Sequence, residues 1–293
     1  MTATLLKITG TFGATQFGKL SRDPVLDGAK GGALFGFDVS FPWSFPHEDV
    51  PADGALVRDL AERANGGFYR PESQAEIIAL AGGGIDLYDL TADGCVVRGP
   101  AGCLAPLEGD QEYLILGWAK LPSAEDWNGG SVVSPIFTCS GANSYSSDTD
   151  LVTVAQSNTP RLYCSRQLSV GSQQSPSLGI TDLAPYYGAV TQWAFWRTAD
   201  ECGMRMKSAN GDETVTGAAG AVNSGSFATL SPQWGVPEAF NQHGQGTGSA
   251  PEHEAAGHRL YRGYIENLAA SGRDPVAVLD EDWDFVTGLE RYS

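Results

Sequence analysis

The chain is expected to fold as an all-β protein, an antiparallel sandwich or barrel, and three observations predict it. Residues 189–197 alternate with a period of two. Gln192, Ala194 and Trp196 fall on one side and Trp193, Phe195 and Arg197 on the other, as a strand with two different faces requires. Residues 203–208 alternate in the same way, with Met204 and Met206 opposite Arg205 and Lys207, and Asn210-Gly211 follows at once. Asn-Gly signals a hairpin, because both residues tolerate the positive φ of a two-residue turn. Finally, 37 glycines and a charged fraction of only 18 % suit many turns between short strands.

Taken in order, residues 4–9 are predicted as a strand, followed by a glycine-dotted stretch to Gly36. Next comes Phe41-Pro42-Trp43-Ser44-Phe45-Pro46, whose prolines each remove a ladder donor and argue against a central strand. Three aromatics in an extended segment need a surface to cover. They either pack on their own domain or form an arm in which Phe41, Trp43 and Phe45 dock on a neighbouring subunit. Leu56, Val57, Leu60 and Ala64 recur at helical spacing and predict a helix over 53–65, with Asp53 as N-cap and Asn65-Gly66-Gly67 as stop. Its other face, Arg58, Asp59, Glu62 and Arg63, reads as solvated. A second helix is expected over 72–81, between Pro71 and Gly82-Gly83-Gly84. That glycine run lacks the Lys-Ser/Thr and the spacing of a phosphate loop.

Strand signals then follow closely, at 85–90, 95–98, 113–120, 132–139, 151–155, 161–166 and 189–197, with glycine, serine and proline turns between them. Loops are expected over 217–225 and 242–257, and a late strand at 259–265. Asp274-Pro275 starts a terminal helix, Asp at N-cap and Pro at N1, with an apolar stripe of Val278, Leu279, Trp283 and Val286. The expected division is an N-terminal extension or docking arm with one helix over 1–70, and a sandwich domain over 71–293.

The net charge of −17 repels nucleic-acid phosphates and disfavours that class of partner. The first ten residues have no basic segment followed by an apolar core, so no signal peptide is read. No apolar run approaches the ~18 residues of a membrane span. Cys95, Cys103, Cys139, Cys164 and Cys202 are scattered and odd in number, which reads as reduced, mostly buried thiols, with a Cys95–Cys103 closure the one conceivable bridge.

Candidate chemistry is sparse. His253-Glu254-Ala255-Ala256-Gly257-His258 resembles a zinc-protease signature, but its histidines are five apart rather than four. On a helix that turns the second ring ~140° away. With His243 and Glu252 nearby, only an adventitious metal site would remain. Glu108-Gly109-Asp110-Gln111-Glu112 has the Glu-x-Asp-x-Glu spacing of some glucanases, which on a strand would put three carboxylates on one face. Gly109 and Gln111 are not the large apolar residues that the opposite face needs, so a polar turn into the next strand is expected. Asp148-Thr149-Asp150 and Asp280-Glu281-Asp282-Trp283-Asp284 are acidic, yet lack the glycine and spacing of a calcium loop. The second reads as a solvated helix face. No Gly-x-Ser-x-Gly elbow is present. No enzyme activity, cofactor or metal is expected.

Over residues 84–293 a family resemblance emerges. Tyr113-Leu-Ile-Leu-Gly-Trp-Ala-Lys, the pair Trp193-Ala-Phe-Trp-Arg and Met204-Arg-Met-Lys-Ser-Ala-Asn-Gly, and Arg259-Leu-Tyr-Arg-Gly-Tyr-Ile-Glu-Asn-Leu resemble successive strands of the concanavalin A-like, laminin-G-like jelly roll. The resemblance implies a jelly-roll sandwich closed by a short C-terminal helix. The stretch from Tyr261 to Pro275 is similar to lectin-like proteins of tailed bacteriophage particles. It implies a virion component made in the host cytoplasm, a capsid decoration, tail or baseplate protein, whose partners are other virion proteins and further copies of itself. The calcium ligands of the sugar-binding members do not map cleanly onto these residues. The expectation is a non-enzymatic structural protein; the alternatives are a glycan-binding module for a host surface sugar and a glycanase using Glu108 and Glu112.

Overall fold

The computed structural model describes residues 23–75, 78–88, 94–127, 134–139, 149–157, 160–173, 178–237 and 257–293. The expected strand at 4–9, Asp148, His243, Glu252 and His253 lie outside the described residues. The described strands form two sheets in which every pairing is antiparallel. One sheet runs β15 (Gly211–Ala218), β14 (Glu201–Ser208), β13 (Val190–Arg197), β7 (Tyr113–Lys120), β17 (Arg259–Asn267), β5 (Gly84–Asp86), β4 (Ala79–Ala81), with β1 (Ala33–Asp38) also paired to β17. The other runs β11 (Ser172–Gln173), β10 (Leu162–Ser169), β9 (Val152–Gln156), β8 (Ser134–Thr138), β16 (Gln233–Val236), β6 (Cys95–Arg98), β3 (Gly66–Tyr69), β2 (Ala55–Val57), with β12 (Leu178–Ile180) also on β10. This is a jelly-roll sandwich with few helices: α1 (Pro24–Asp27), α2 (Leu268–Ser271) and the terminal α3 (Pro275–Gly288).

The sheets meet in an apolar core, with Ile115, Trp193, Phe195 and Met204 facing Phe137, Val152, Val154 and Trp234. Trp234 stands edge-on to Phe37 and Phe137, at 5.4 and 4.9 Å between ring centroids. Two glycines make room for the indoles. Gly117 and Gly263 are register partners across β7 and β17. A Cβ on Gly117 would lie 2.3 Å from Trp193, and one on Gly263 2.6 Å from Trp234.

A second core lies outside the first sheet. Leu114, Leu116, Trp118, Ala194, Trp196 and Tyr264 pack there against Val278, Leu279 and Val286 of α3 and Val25 of α1. β7 is therefore covered on both faces, which explains why Tyr113-Leu-Ile-Leu-Gly-Trp-Ala reads as an unbroken apolar run rather than an alternation. Each large side chain so buried stabilises the fold by about 1.5–3 kcal/mol. The expected N-cap of α3 is present: Asp274 accepts from the Ala277 N–H at 2.8 Å.

Several expectations change. Residues 53–65 are not a helix. Val57 enters the inter-sheet core, Leu60 the outer core, and Leu56 is exposed, so the spaced apolar residues never share one face. Asp59, expected in solvent, is fully buried and its carboxylate accepts from the N–H groups of Gly36, Ala61 and Arg63, a side-chain alternative to helical pairing. Residues 72–81 are a 3-10 turn, Glu72–Gln74, and then β4. Gly82 and Gly83, read as a helix stop, both take positive φ (55° and 82°) and turn β4 into β5, the conformation of a type I′ hairpin.

Within residues 1–70, β1 pairs with β17 and β3 with β6. Lastly, the hairpin after β14 turns one residue earlier than Asn210-Gly211. Ser208 pairs with Gly211, so Ala209 and Asn210 form the turn. Gly211 instead lets the chain approach Pro185, where a Cβ would lie at 2.6 Å. The loop read at 217–225 starts after Ala218, the end of β15.

Candidate functional site

The described surface gathers aromatic side chains where the chain's early and late segments meet. β1 ends at Asp38, and the chain folds into a tight turn instead of the extended run predicted for 41–46. The N–H groups of Ser44 and Phe45 both reach the Phe41 carbonyl, at 2.8 and 2.9 Å. Ser44 Oγ donates to the Arg58 carbonyl at 2.9 Å and accepts from the Asp38 N–H, and Arg58 Nη1 donates to the Trp43 carbonyl at 2.9 Å. This pinned turn divides the three predicted docking residues. Phe45 points inward, 2 % exposed, and packs edge-on to Phe68 of its own core. Phe41 and Trp43 point outward, 38 % and 41 % exposed.

The last residues complete the surface. After α3, Glu290 takes a left-handed conformation (φ 50°) and turns the chain back over the sheet. The Ser293 N–H donates to the Gly82 carbonyl, and the Ser293 oxygen accepts from Arg259 Nη1 at 2.7 Å and Tyr261 Oη at 2.8 Å. That holds Tyr292 flat on Tyr261, with centroids 4.6 Å apart. It also sets the Arg291 guanidinium 5.6 Å over Phe41 and 5.8 Å from Phe285, with Nη1 3.1 Å from Asp38 Oδ2. Beside Arg291 opens a cleft of about 260 Å³ lined by Trp118, Val190, Trp283, Val286, Thr287 and Tyr292, among others. Trp118 and Trp283 stack on each other at 5.2 Å, and Lys207 lies over Trp283, so the indoles offer the cleft mainly their edges. Glu48, Asp49, Asp284 and Glu290 are exposed within a few residues of the aromatic side chains.

Below this surface lies a buried charge network. Arg262, on the outer side of β17, reaches Asp23 at 2.6 Å, Asp282 at 2.9 Å and Asp38 at 3.7 Å. Asp282, expected on a solvated helix face, is fully buried and also accepts from Trp118 Nε1 at 2.6 Å and Gln192 Nε2 at 2.8 Å. Burial pushes its carboxyl above the usual range, against the pull of Arg262. The network fastens α3 to the sheet and so fixes the cleft wall.

The other candidates are structural. Glu108 accepts from Ser226 Oγ and the Phe227 N–H, which hold it below the usual carboxylate range. Residues 108–110 form the expected polar turn into β7. Asp280 pairs with Arg205 and Lys207 of β14, and Asp150 is buried. His258 is buried, and among the described residues no group of three or more His, Cys, Asp or Glu is placed to hold a metal ion. All five cysteines stand outside disulfides, and burial raises the thiols of Cys103, Cys139, Cys164 and Cys202. Among the described residues no helix is long and apolar enough to cross a membrane. The sequence reading missed Trp118, Arg291 and Tyr292 as parts of one surface. An outward-facing tryptophan on a strand was the available signal, but nothing local links positions 118 and 283.

No protein-family model matches the sequence, and no curated protein matches it. Among solved structures, the chain is similar to the CBM40 of the Ruminococcus gnavus IT-sialidase, at 12 % identity and a TM-score of 0.37, over 58 % of this chain and 88 % of that one. It is similar to the CBM2 module of the evolved Dit of Lactobacillus casei BL23 phage J-1, at 12 % identity and 0.37, over 80 % and 95 %. It is also similar to tailspike protein 2 of an Escherichia coli O157:H7 bacteriophage, at 13 % identity and 0.36, over 61 % and 23 %. At these scores the likeness is a distant one, confined to fold.

Proposed function

We propose that this chain is a non-enzymatic structural component of a tailed-bacteriophage particle, acting by attachment to other protein subunits. The observation that carries the reading is the outward pair Phe41 and Trp43 on a turn pinned by Ser44 and Arg58. Large apolar side chains held rigidly in solvent, next to a cleft and a partly exposed arginine, have the make-up of an interface centre: aromatic and arginine anchors inside a polar rim. The particle context rests on the similarity of the Tyr261–Pro275 stretch to phage lectin-like proteins. The absence of catalysis is supported by Glu108, whose carboxylate is used to hold the 226–227 turn. The test is Phe41→Ala/Trp43→Ala in the full chain, followed by sedimentation of the purified protein and of particles assembled with it. Loss of the oligomer and of particle incorporation, with thermal stability unchanged, is the expected result. Unaltered assembly would overturn the reading.

One observation favours glycan binding as a second reading: the Trp43 indole, unlike those of Trp118 and Trp283, leaves much of its surface to solvent. Binding to immobilised host glycans that disappears in Trp43→Ala would support it.

A further inference from the structure

The aromatic surface has an apolar centre, Glu290 lines its cleft, and Glu48, Asp49 and Asp284 are exposed close in sequence to its aromatic residues, while one stretch of the same chain has the opposite charge with a matching apolar content. Residues 1–22 contain Lys7, Lys19 and Arg22 and no acidic side chain, together with Leu5, Leu6, Ile8, Phe12, Phe17 and Leu20. The other 271 residues hold fifteen lysines and arginines against thirty-five acidic residues. Copies of such a body repel one another, and a cationic segment shared between copies offsets that repulsion. We propose that residues 1–22 of one copy occupy the aromatic surface of a second copy, with Phe12 or Phe17 entering the cleft beside Trp118 and Tyr292 and the cations facing Asp284, Glu290, Glu48 and Asp49. This deepens the assembly reading above and rests on it.

Geometry and size agree. The segment joins the described fold at Asp23, which is bound to Arg262 on the outer face of the first sheet, where α3 and the cleft also lie. Twenty-two extended residues reach up to ~75 Å, enough to pass between neighbouring subunits. The cleft of about 260 Å³ accepts one aromatic side chain, and a buried aromatic anchor with charges kept at the rim is an economical way to fix a partner.

The test uses the full chain. Equal amounts of ordinary and nitrogen-15-labelled protein are mixed and joined with a zero-length carbodiimide, and the linked peptides are analysed by mass spectrometry. The expected result is linkage of Lys7 or Lys19 to Asp284, Glu290, Glu48 or Asp49 in mixed-isotope pairs. In parallel, Lys7→Glu/Lys19→Glu/Arg22→Glu should weaken self-association about tenfold or more, and added salt should weaken the wild-type oligomer. Links only within one isotope would place the segment on its own body and overturn the proposal, as would links that avoid these four carboxylates or an arm variant that associates normally. If those results come while Phe41→Ala/Trp43→Ala still abolishes assembly, the docking surface stands and its occupant is another virion protein. If that double variant assembles normally, the underlying reading fails.

Discussion

Arg262 Nε donates to Asp282 Oδ1 at 2.9 Å, and neither side chain reaches solvent. This pair crosses from β17 to α3. It lets a helix with a charged residue in the middle of its buried face close over the sheet. Removing Asp282 leaves Arg262 with Asp23 and Asp38 but strips the buried Trp118 Nε1–H of its acceptor, at a cost of about 1–3 kcal/mol. Asp282→Ala should therefore lower stability by that order in urea unfolding. Because Trp118 and Trp283 stack beside the pair, their fluorescence should report loosening of α3 before global unfolding.

The two faces of the 41–45 turn should separate by mutation. Phe45→Ala empties a core position and should cost about 3–5 kcal/mol. Trp43→Ala removes a side chain 41 % exposed and should change stability by no more than about 0.5 kcal/mol. Thermal melts of the two single variants, set beside their sedimentation profiles, check this.

Gly263→Ala should destabilise the sandwich although it adds a single methyl. The new Cβ would meet Phe37 at 2.5 Å and Trp234 at 2.6 Å, and overpacking of this kind typically costs about 1–3 kcal/mol. Chemical denaturation measures the loss. Gly272→Ala is the control for crowding, since a Cβ there meets nothing within 4 Å, although its φ of 68° still carries backbone strain.

Acid should loosen the contact between β14 and α3. Hydrogen bonds from Arg205 hold Asp212 below its ordinary 3.8. For Asp280, burial works upward, but Arg205 and Lys207 outweigh it and the carboxyl again lies low. A depressed carboxylate contributes stability above its unfolded value and loses it as the pH falls through the folded one, so this contribution fades below 3.8. Asp59 and Asp282 are raised by burial and have the opposite sign, their ionisation costing stability as the pH rises. Melting temperature against pH should thus show an acid limb that is shallower in Asp212→Asn/Asp280→Asn than in the wild type.

The central sheet was legible because its side-chain period is local. The alternation around Trp193 and Met204 gave the faces of β13 and β14 correctly, and the Asn-Gly step placed a hairpin within one residue of where it turns. β1 was not legible, since Ala33-Leu-Phe-Gly-Phe-Asp is buried throughout and so carries no alternation. The false helix at 53–65 came from apolar residues that serve two different cores, a distinction that appears only once the sheets are stacked. The candidate site was half visible. Phe41 and Trp43 stood out as aromatics between prolines, whereas the cleft depends on Trp118 meeting Trp283 and Tyr292 across more than 160 positions.

The surface proposed for attachment joins a turn near residue 43 to side chains between 283 and 292. Synthesis delivers these halves far apart in time. A chain stalled before α3 would carry Phe41 and Trp43 with no Arg291 above them and no cleft beside them. On the proposed reading, the attachment surface is complete only once residues 283–292 have folded against the 41–45 turn and β7.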